Sequence, residues 1–193
     1  MARSMFRTCI IAACISLVPL AASAQEVVHA MVGTVSSIDA IAKTIVLKTD
    51  DGSTSFFKEM KDPKTPIDFD KNIRTDATAA DEFHKSGERA IVYYYGYGNS
   101  LTAVALRSLG PGPFTKVTGT VANLDKPEHS LLVKGQSGLI KSFKITSDTI
   151  AETSSGAAEG LHFNPGKGDQ VRVNATMVNG VLTAVFINTL VAN

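Results

Sequence analysis

One block of this chain occurs twice. Gly33–Gly52 (GTVSSIDAIAKTIVLKTDDG) aligns without a gap on Gly119–Gly138 (GTVANLDKPEHSLLVKGQSG), 86 residues further on. Gly33-Thr34-Val35 falls on Gly119-Thr120-Val121, Asp39 on Asp125, Lys48 on Lys134 and Gly52 on Gly138. A second pair closes each copy: Leu101–Leu109 (LTAVALRSL) and Leu182–Leu190 (LTAVFINTL), 81 residues apart. Two anchored blocks in the same order, with a small change in spacing, mark a duplicated unit. The fold must therefore be one that can be built twice, from about 75–85 residues each time. Units of that size are marginally stable alone and gain from docking on one another.

The first residues read as an export leader. Arg3 and Arg7 precede an apolar run, Thr8–Leu20, and a small-x-small site, Ala22-Ser23-Ala24, before Gln25. That pattern predicts a signal peptide over residues 1–24, cleaved after Ala24, too short for a membrane span. Ile11-Ala12-Ala13-Cys14 resembles a lipobox, but it would leave only Thr8–Ala13 as the apolar core, and the run continues past Cys14. The expected address is periplasmic or secreted. Both cysteines, Cys9 and Cys14, lie in the leader. The mature chain is thus expected to form no disulfide and no thiolate site, even in an oxidising compartment. It carries 17 Lys and Arg against 18 Asp and Glu, interspersed. Nucleic-acid binders need a basic face to neutralise phosphate, so no nucleic-acid partner is expected. No later apolar run supplies an integral membrane segment.

Along the mature chain, Val27–Asp39, Thr44–Thr49 and Ser53–Lys58 read as three strands, with Asp50-Asp51-Gly52 as a hairpin turn. Met60–Gly87 breaks the pattern: it is polar, contains Pro63 and Pro66, and has a helix-capable piece around Thr78–His84. Thr146–Gly168, rich in Ser, Ala and Gly, is its counterpart. Strands resume at Glu88–Tyr95 and Leu101–Leu109, and again at Asp169–Thr176 and Leu182–Leu190. A glycine inside both opening strands, Gly33 and Gly119, points to a bend or a close backbone approach. Three strands, an excursion and two strands is the order of OB-type barrels, and closure leaves no open edge. The expected fold is all-β: two tandem five- to six-stranded OB-like barrels, each with a short helical or irregular excursion between strands three and four. A pair of packed meanders would show the same pattern. The first repeat spans 25–110, a stiff Gly/Pro linker 111–114, and the second repeat 115–193.

These blocks resemble a family of bacterial exported small β-barrel domains of unknown function, often found in tandem. Gly33-Thr34-Val35 to Asp39 and Gly119-Thr120-Val121 to Asp125 match its opening strand. Gly168-Asp169-Gln170-Val171-Arg172-Val173 matches its fourth strand closely, and Gly87-Glu88-Arg89-Ala90-Ile91-Val92 loosely. The resemblance covers most of the mature chain. Its motifs are those of strands and turns, so it implies a fold and an export route and brings no catalytic residues.

Comparing the copies singles out one surface. Ala90, Val92 and Tyr94 align with Val171, Val173 and Ala175, an apolar set in both and the expected inner face of strand four. Ile91, Tyr93 and Tyr95 align with Arg172, Asn174 and Thr176, so the outer face is aromatic in the first copy and polar in the second. Outer Phe56 aligns with Ser142, and Tyr97 adds another ring. Phe56, Ile91, Tyr93, Tyr95 and Tyr97 therefore either pack against the second barrel or under the excursion, or form a partner-binding surface for an envelope protein or glycan.

Other chemistry is poorly supported. Asp68-Phe69-Asp70 opens like an EF-hand, but Ile73 and Ala79 stand where the glycine and bidentate glutamate belong. His29, His84, His129 and His162 have no metal-ligand spacing. Gly160–Gly168 lacks the phosphate-loop spacing, and no serine sits in a nucleophile elbow. Asp39 and Asp125 sit at strand ends, where a short carboxylate bonds nearby backbone N–H groups. The expectation is a non-enzymatic binding or accessory module of the bacterial envelope, with no cofactor and no metal. A small-ligand-binding barrel is the alternative, and an enzyme with a cleft between the barrels a weaker one.

Overall fold

The computed structural model describes residues 25–60 and 67–190, so the expected leader over 1–24 lies outside the described residues. The first copy runs β1 (Glu26–Val27), β2 (His29–Asp39), β3 (Thr44–Thr49), β4 (Thr54–Glu59), β5 (Ile67–Asp68), α1 (Lys71–Arg74), β6 (Thr78–Ala79), a 3-10 turn at Ala80–Glu82, β7 (Arg89–Tyr97) and β8 (Ser100–Ser108). Its sheet is ordered β4-β3-β2-β7-β8 and closes where β8 lies parallel to β4, Phe57 opposite Leu101 and Glu59 opposite Ala103. The second copy runs β9 (Thr115–Asp125), β10 (Ser130–Gly135), β11 (Ile140–Lys144), β12 (Ile150–Thr153), β13 (Gly156–Glu159), a 3-10 turn at Gly160–His162, β14 (Gln170–Val178) and β15 (Val181–Leu190). Its order, β11-β10-β9-β14-β15, closes by Lys144 opposite Thr183. In each copy strand three pairs with two, two with one, one with four, four with five, and five returns to three. That is the OB order, and the protein is two tandem OB-like barrels.

The buried residues repeat with the sequence. Val35, Ile45, Leu47 and Phe57 fill the first barrel; Val121, Leu131, Val133 and Phe143, at the same offset, fill the second. Ala90, Val92 and Leu106 match Val171, Val173 and Ile187 in the same way. A third core lies between the barrels. It joins Val28, Ala30, Val32, Ile73, Ile91, Tyr93 and Ala105 of the first copy to Ile150 and Phe186 of the second. This docking supplies burial that neither small barrel has alone.

The excursions lie between strands three and four as expected, but differ in the elements they form. The first forms its α-helix at Lys71–Arg74, where the Asp70 side chain accepts from the Asn72 N–H at 2.8 Å as an N-cap. Around Thr78–His84, the helix-capable piece, a two-residue strand on Leu106 and Ala105 is followed by the 3-10 turn at Ala80–Glu82. The second excursion is a β-hairpin, β12–β13, added to the outside of β15. Its Ser, Ala and Gly content hides the strand period, yet Ile150 and Ala151 are fully buried.

Gly33 and Gly119 mark a close approach. A Cβ at either would strike the carbonyl oxygen of the neighbouring strand, Lys48 or Lys134. Backbone cannot swing aside as a side chain can, so Gly33→Ala and Gly119→Ala are each expected to cost about 1–3 kcal/mol in chemical denaturation. Asp39 accepts from the Ile41 and Ala42 N–H groups at 2.9 and 2.8 Å, and Asp125 from that of Glu128 at 3.1 Å, so both hold turns. No helix among the described residues is long and apolar enough to cross a membrane.

Candidate functional site

Strand four contributes to the contact between the barrels in both copies, through Ile91 and Tyr93 in the first and Arg172 and Asn174 in the second. On β7, Ala90, Val92 and Tyr94 face the first barrel's interior, which puts Ile91, Tyr93, Tyr95 and Tyr97 outside. The outer row is then divided. Ile91 and Tyr93 have no exposed surface; they pack in the core between the barrels, with the Phe69 ring 5.0 Å from that of Tyr93. The second barrel and the excursion both cover them, so these two residues of the expected contact surface are unavailable to a partner. Burial pushes the Tyr93 phenol up to about 12, opposed by the charge of Arg107 and by its side-chain contact with the hydroxyl, a contact that falls short of good hydrogen-bond geometry.

The other three lie further along the strand. Tyr95 is half-buried, while Phe56 is 64% and Tyr97 82% exposed. Tyr97 stands opposite Ser100, and the parallel register of Phe57 on Leu101 sets Phe56 beside Ser100 on its other side. Tyr95, opposite Thr102, occupies the next outer row. The structure thus leaves three aromatic side chains together at one end of the first barrel.

In the second copy the equivalent outer residues, Arg172 and Asn174, face the β3–β4 hairpin of the first. Arg89 donates to both oxygens of Asp50, at 2.7 and 2.6 Å, and to the Asn174 Oδ1 at 2.7 Å. Lys116 Nζ lies 2.6 Å from Asp50 across the barrel boundary, and the Arg89 guanidinium sits 5.2 Å over the Phe114 ring of the linker. Burial alone would raise the Asp50 pKa, but the bonds and charges of Arg89 and Lys116 outweigh it and hold the carboxyl below its usual range. Hydrogen bonds from Thr49 and Ser53 hold Asp51 well below its usual range too, and Arg172 lies 3.8 Å away.

A second cross-barrel link comes from β12. Glu152 accepts from the Ala30 N–H at 2.7 Å and lies 2.6 Å from His29 Nδ1. Burial raises its pKa against those bonds. Burial, and after it the Glu152 charge, pushes the Tyr94 phenol up to about 12. Between the two links lies a cleft of about 300 Å³, lined by residues of both barrels, among them Asp51, Tyr94, Glu152, Arg172, Asn174 and Phe186. A larger groove of about 820 Å³ runs over the second barrel past Lys144, Val178 and Val185. Among the described residues, no group of three or more His, Cys, Asp or Glu converges as a metal centre; His84, just past the first 3-10 turn, and His162, the last residue of the second, are exposed.

Sequence reasoning reads Asp50 and Asp51 as turn residues only, and does not single out Arg89, Glu152 or Asn174 as a site. The usable signal was asymmetry between copies. Asp50 aligns with Gln136 and Arg89 with Gln170, so the buried ion pair exists in one copy alone.

No protein-family model and no curated protein matches the chain. Among solved structures, Ag(I)-bound CusF is similar at 15% identity and a TM-score of 0.32, over 40% of this chain and 99% of CusF. Apo-CusF from Escherichia coli gives 15% identity and a TM-score of 0.33, over 44% of this chain and 95% of CusF. At those values the likeness carries no argument about what this chain binds.

Proposed function

We propose that the chain is an exported, non-enzymatic binding module of the bacterial envelope. It contacts a protein or glycan partner through the exposed end of the first barrel's aromatic face, Phe56, Tyr95 and Tyr97. The observation that carries this reading is the exposure of Phe56 and Tyr97 on either side of Ser100, where neither barrel covers them. Rigid rings supply contact area at low entropic cost and stack on apolar or sugar surfaces. The leader pattern supports export. The non-enzymatic reading is supported by the charges between the barrels, which are bonded to one another: Asp50 to Arg89 and Lys116, Glu152 to His29.

Pull-down from envelope extract with the mature protein tests it. The Phe56→Ser/Tyr97→Ser double variant is expected to keep its melting temperature within about 2 °C, because both rings are exposed, and to capture about tenfold less of the partner. Equal capture by the variant would remove this face from the proposal.

A further inference from the structure

We propose that the chain associates with a second copy of itself, the aromatic end of one copy's first barrel seating in the groove on the other copy's second barrel. The inference rests on the aromatic face being a contact surface, and names its partner. Ring face and groove occupy the same place in the two barrels. On the first, Phe56 lies beside Ser100 with Tyr97 opposite, and the next row is Lys58 beside Thr102 with Tyr95 opposite. On the second, Ser142 lies beside Val181 with Val178 opposite, and the next row is Lys144 beside Thr183 with Thr176 opposite. The rows match position for position, but the relief is inverted. Ser142, Val178 and Thr176 stand where the first barrel has Phe56, Tyr97 and Tyr95, and these small side chains leave the groove of about 820 Å³. That volume falls within the about 300–1,000 Å³ that takes a drug-sized molecule, so it has room for two or three aromatic rings.

The groove suits the rings in chemistry too. Val178 and Val181 are exposed and, with Val185 and Leu109, give it apolar walls. A tyrosine that becomes buried needs a partner for its O–H, and Ser130, Thr176 and Thr183 line the same groove. Charge points to the same occupant. The groove's cations are already engaged: Lys144 Nζ donates to the Glu128 carbonyl and Arg107 to the Asp148 carbonyl, both at 2.8 Å. The side-chain carboxylates of Glu128 and Asp148 are exposed, and among the described residues neither has a cation within ion-pairing distance. Lys58, exposed beside the rings, brings the opposite charge. The contact joins unlike surfaces, so copies either pair reciprocally or extend head to tail. Three rings and a polar rim make a small interface, so the dissociation constant is expected at about 10–500 μM.

Analytical ultracentrifugation of the mature protein up to about 1 mM, above that dissociation constant, tests the proposal. Wild type is expected to associate as concentration rises. Phe56→Ser/Tyr97→Ser keeps the groove and loses the rings. Val181→Lys keeps the rings and sets in the groove a charge that Lys58 repels. Each variant alone is expected to stay monomeric, with a melting temperature within about 2 °C of wild type because all three residues are exposed. Mixed in equal amounts, the two variants are expected to form a 1:1 dimer, since the rings of one still meet the groove of the other. If Val181→Lys fails to fold, Ser142→Arg, exposed on the facing strand, takes its place. Wild type that stays monomeric overturns the proposal; envelope capture still lowered by Phe56→Ser/Tyr97→Ser would then keep the aromatic face as a surface for a different partner. Association that survives Val181→Lys overturns it by showing rings that meet something other than the groove. Association that survives Phe56→Ser/Tyr97→Ser, or a mixture that stays monomeric, overturns it as well.

Discussion

Tyr93→Ser is expected to lower the unfolding free energy by about 3–5 kcal/mol, whereas Tyr93→Phe should leave it unchanged or raise it by about 1 kcal/mol. The Tyr93 ring and its hydroxyl act in opposite senses. The ring is fully buried among residues of both barrels and against Phe69, so truncation leaves a cavity in the core that docks one copy on the other. The hydroxyl is buried beside Arg107 without a well-formed hydrogen bond, so removing it discards a desolvation penalty and only a weak contact. Tyr97→Ser, two positions along the same face but 82% exposed, should move stability by less than about 0.5 kcal/mol. Urea denaturation followed by circular dichroism reads all three. The shared core also couples the barrels, so Tyr93→Ser should broaden the transition or divide it in two as they come to unfold separately. Equal effects at Tyr93 and Tyr97 would mean that the outer row of β7 is not divided as described.

That division shows what could be read from the sequence. Alternation along the strand, checked against its aligned counterpart, puts Ala90, Val92 and Tyr94 inside the barrel and Ile91 and Tyr93 outside it, as the cores show, because strand period and core volume act locally and were inherited by both copies. The same comparison finds the outer aromatic face and leaves open whether it packs or binds. Ile91 and Tyr93 pack, and which part of the strand the second barrel covers depends on docking geometry that no local pattern encodes. The excursions are less legible in the sequence. Thr78–His84 has helical propensity, yet an Asx cap at Asp70 starts the helix earlier and the free edge of β8 takes Thr78 and Ala79 as a strand. Tertiary pairing overrode propensity there, as it did where small residues at Ala151, Ala157 and Ala158 form a hairpin instead of a loop. Asp50 hid for another reason. Asp-Asp-Gly is so good a turn sequence that its composition is fully explained before any buried partner is considered.

Asp50→Ala is expected to cost about 3–5 kcal/mol, the loss typical when one partner of a buried ion pair is removed. Asp50 is 4% exposed in its side chain and holds two cations, Arg89 from its own barrel and Lys116 from the other. Without it the Arg89 guanidinium, only 11% exposed, keeps just the Asn174 oxygen and the Phe114 face. Much of the cost is that stranded charge, so Asp50→Ala/Arg89→Met should recover a large part of it, a non-additivity that a double-mutant cycle measures. Acid titration gives an independent reading. The folded-state pKa of Asp50 lies below its unfolded value of about 3.9. The stability it contributes is therefore fully present above that pH and is lost as pH falls through the folded pKa. Glu152 has the opposite sign: its pKa is raised in the fold, so lowering the pH relieves a penalty there. Comparing wild type with Asp50→Asn cancels the Glu152 contribution and leaves that of Asp50. The wild-type advantage should be largest at neutral pH and shrink below about pH 4. An advantage that stays constant down to pH 2 would show that Asp50 does not hold the barrels together as a charge.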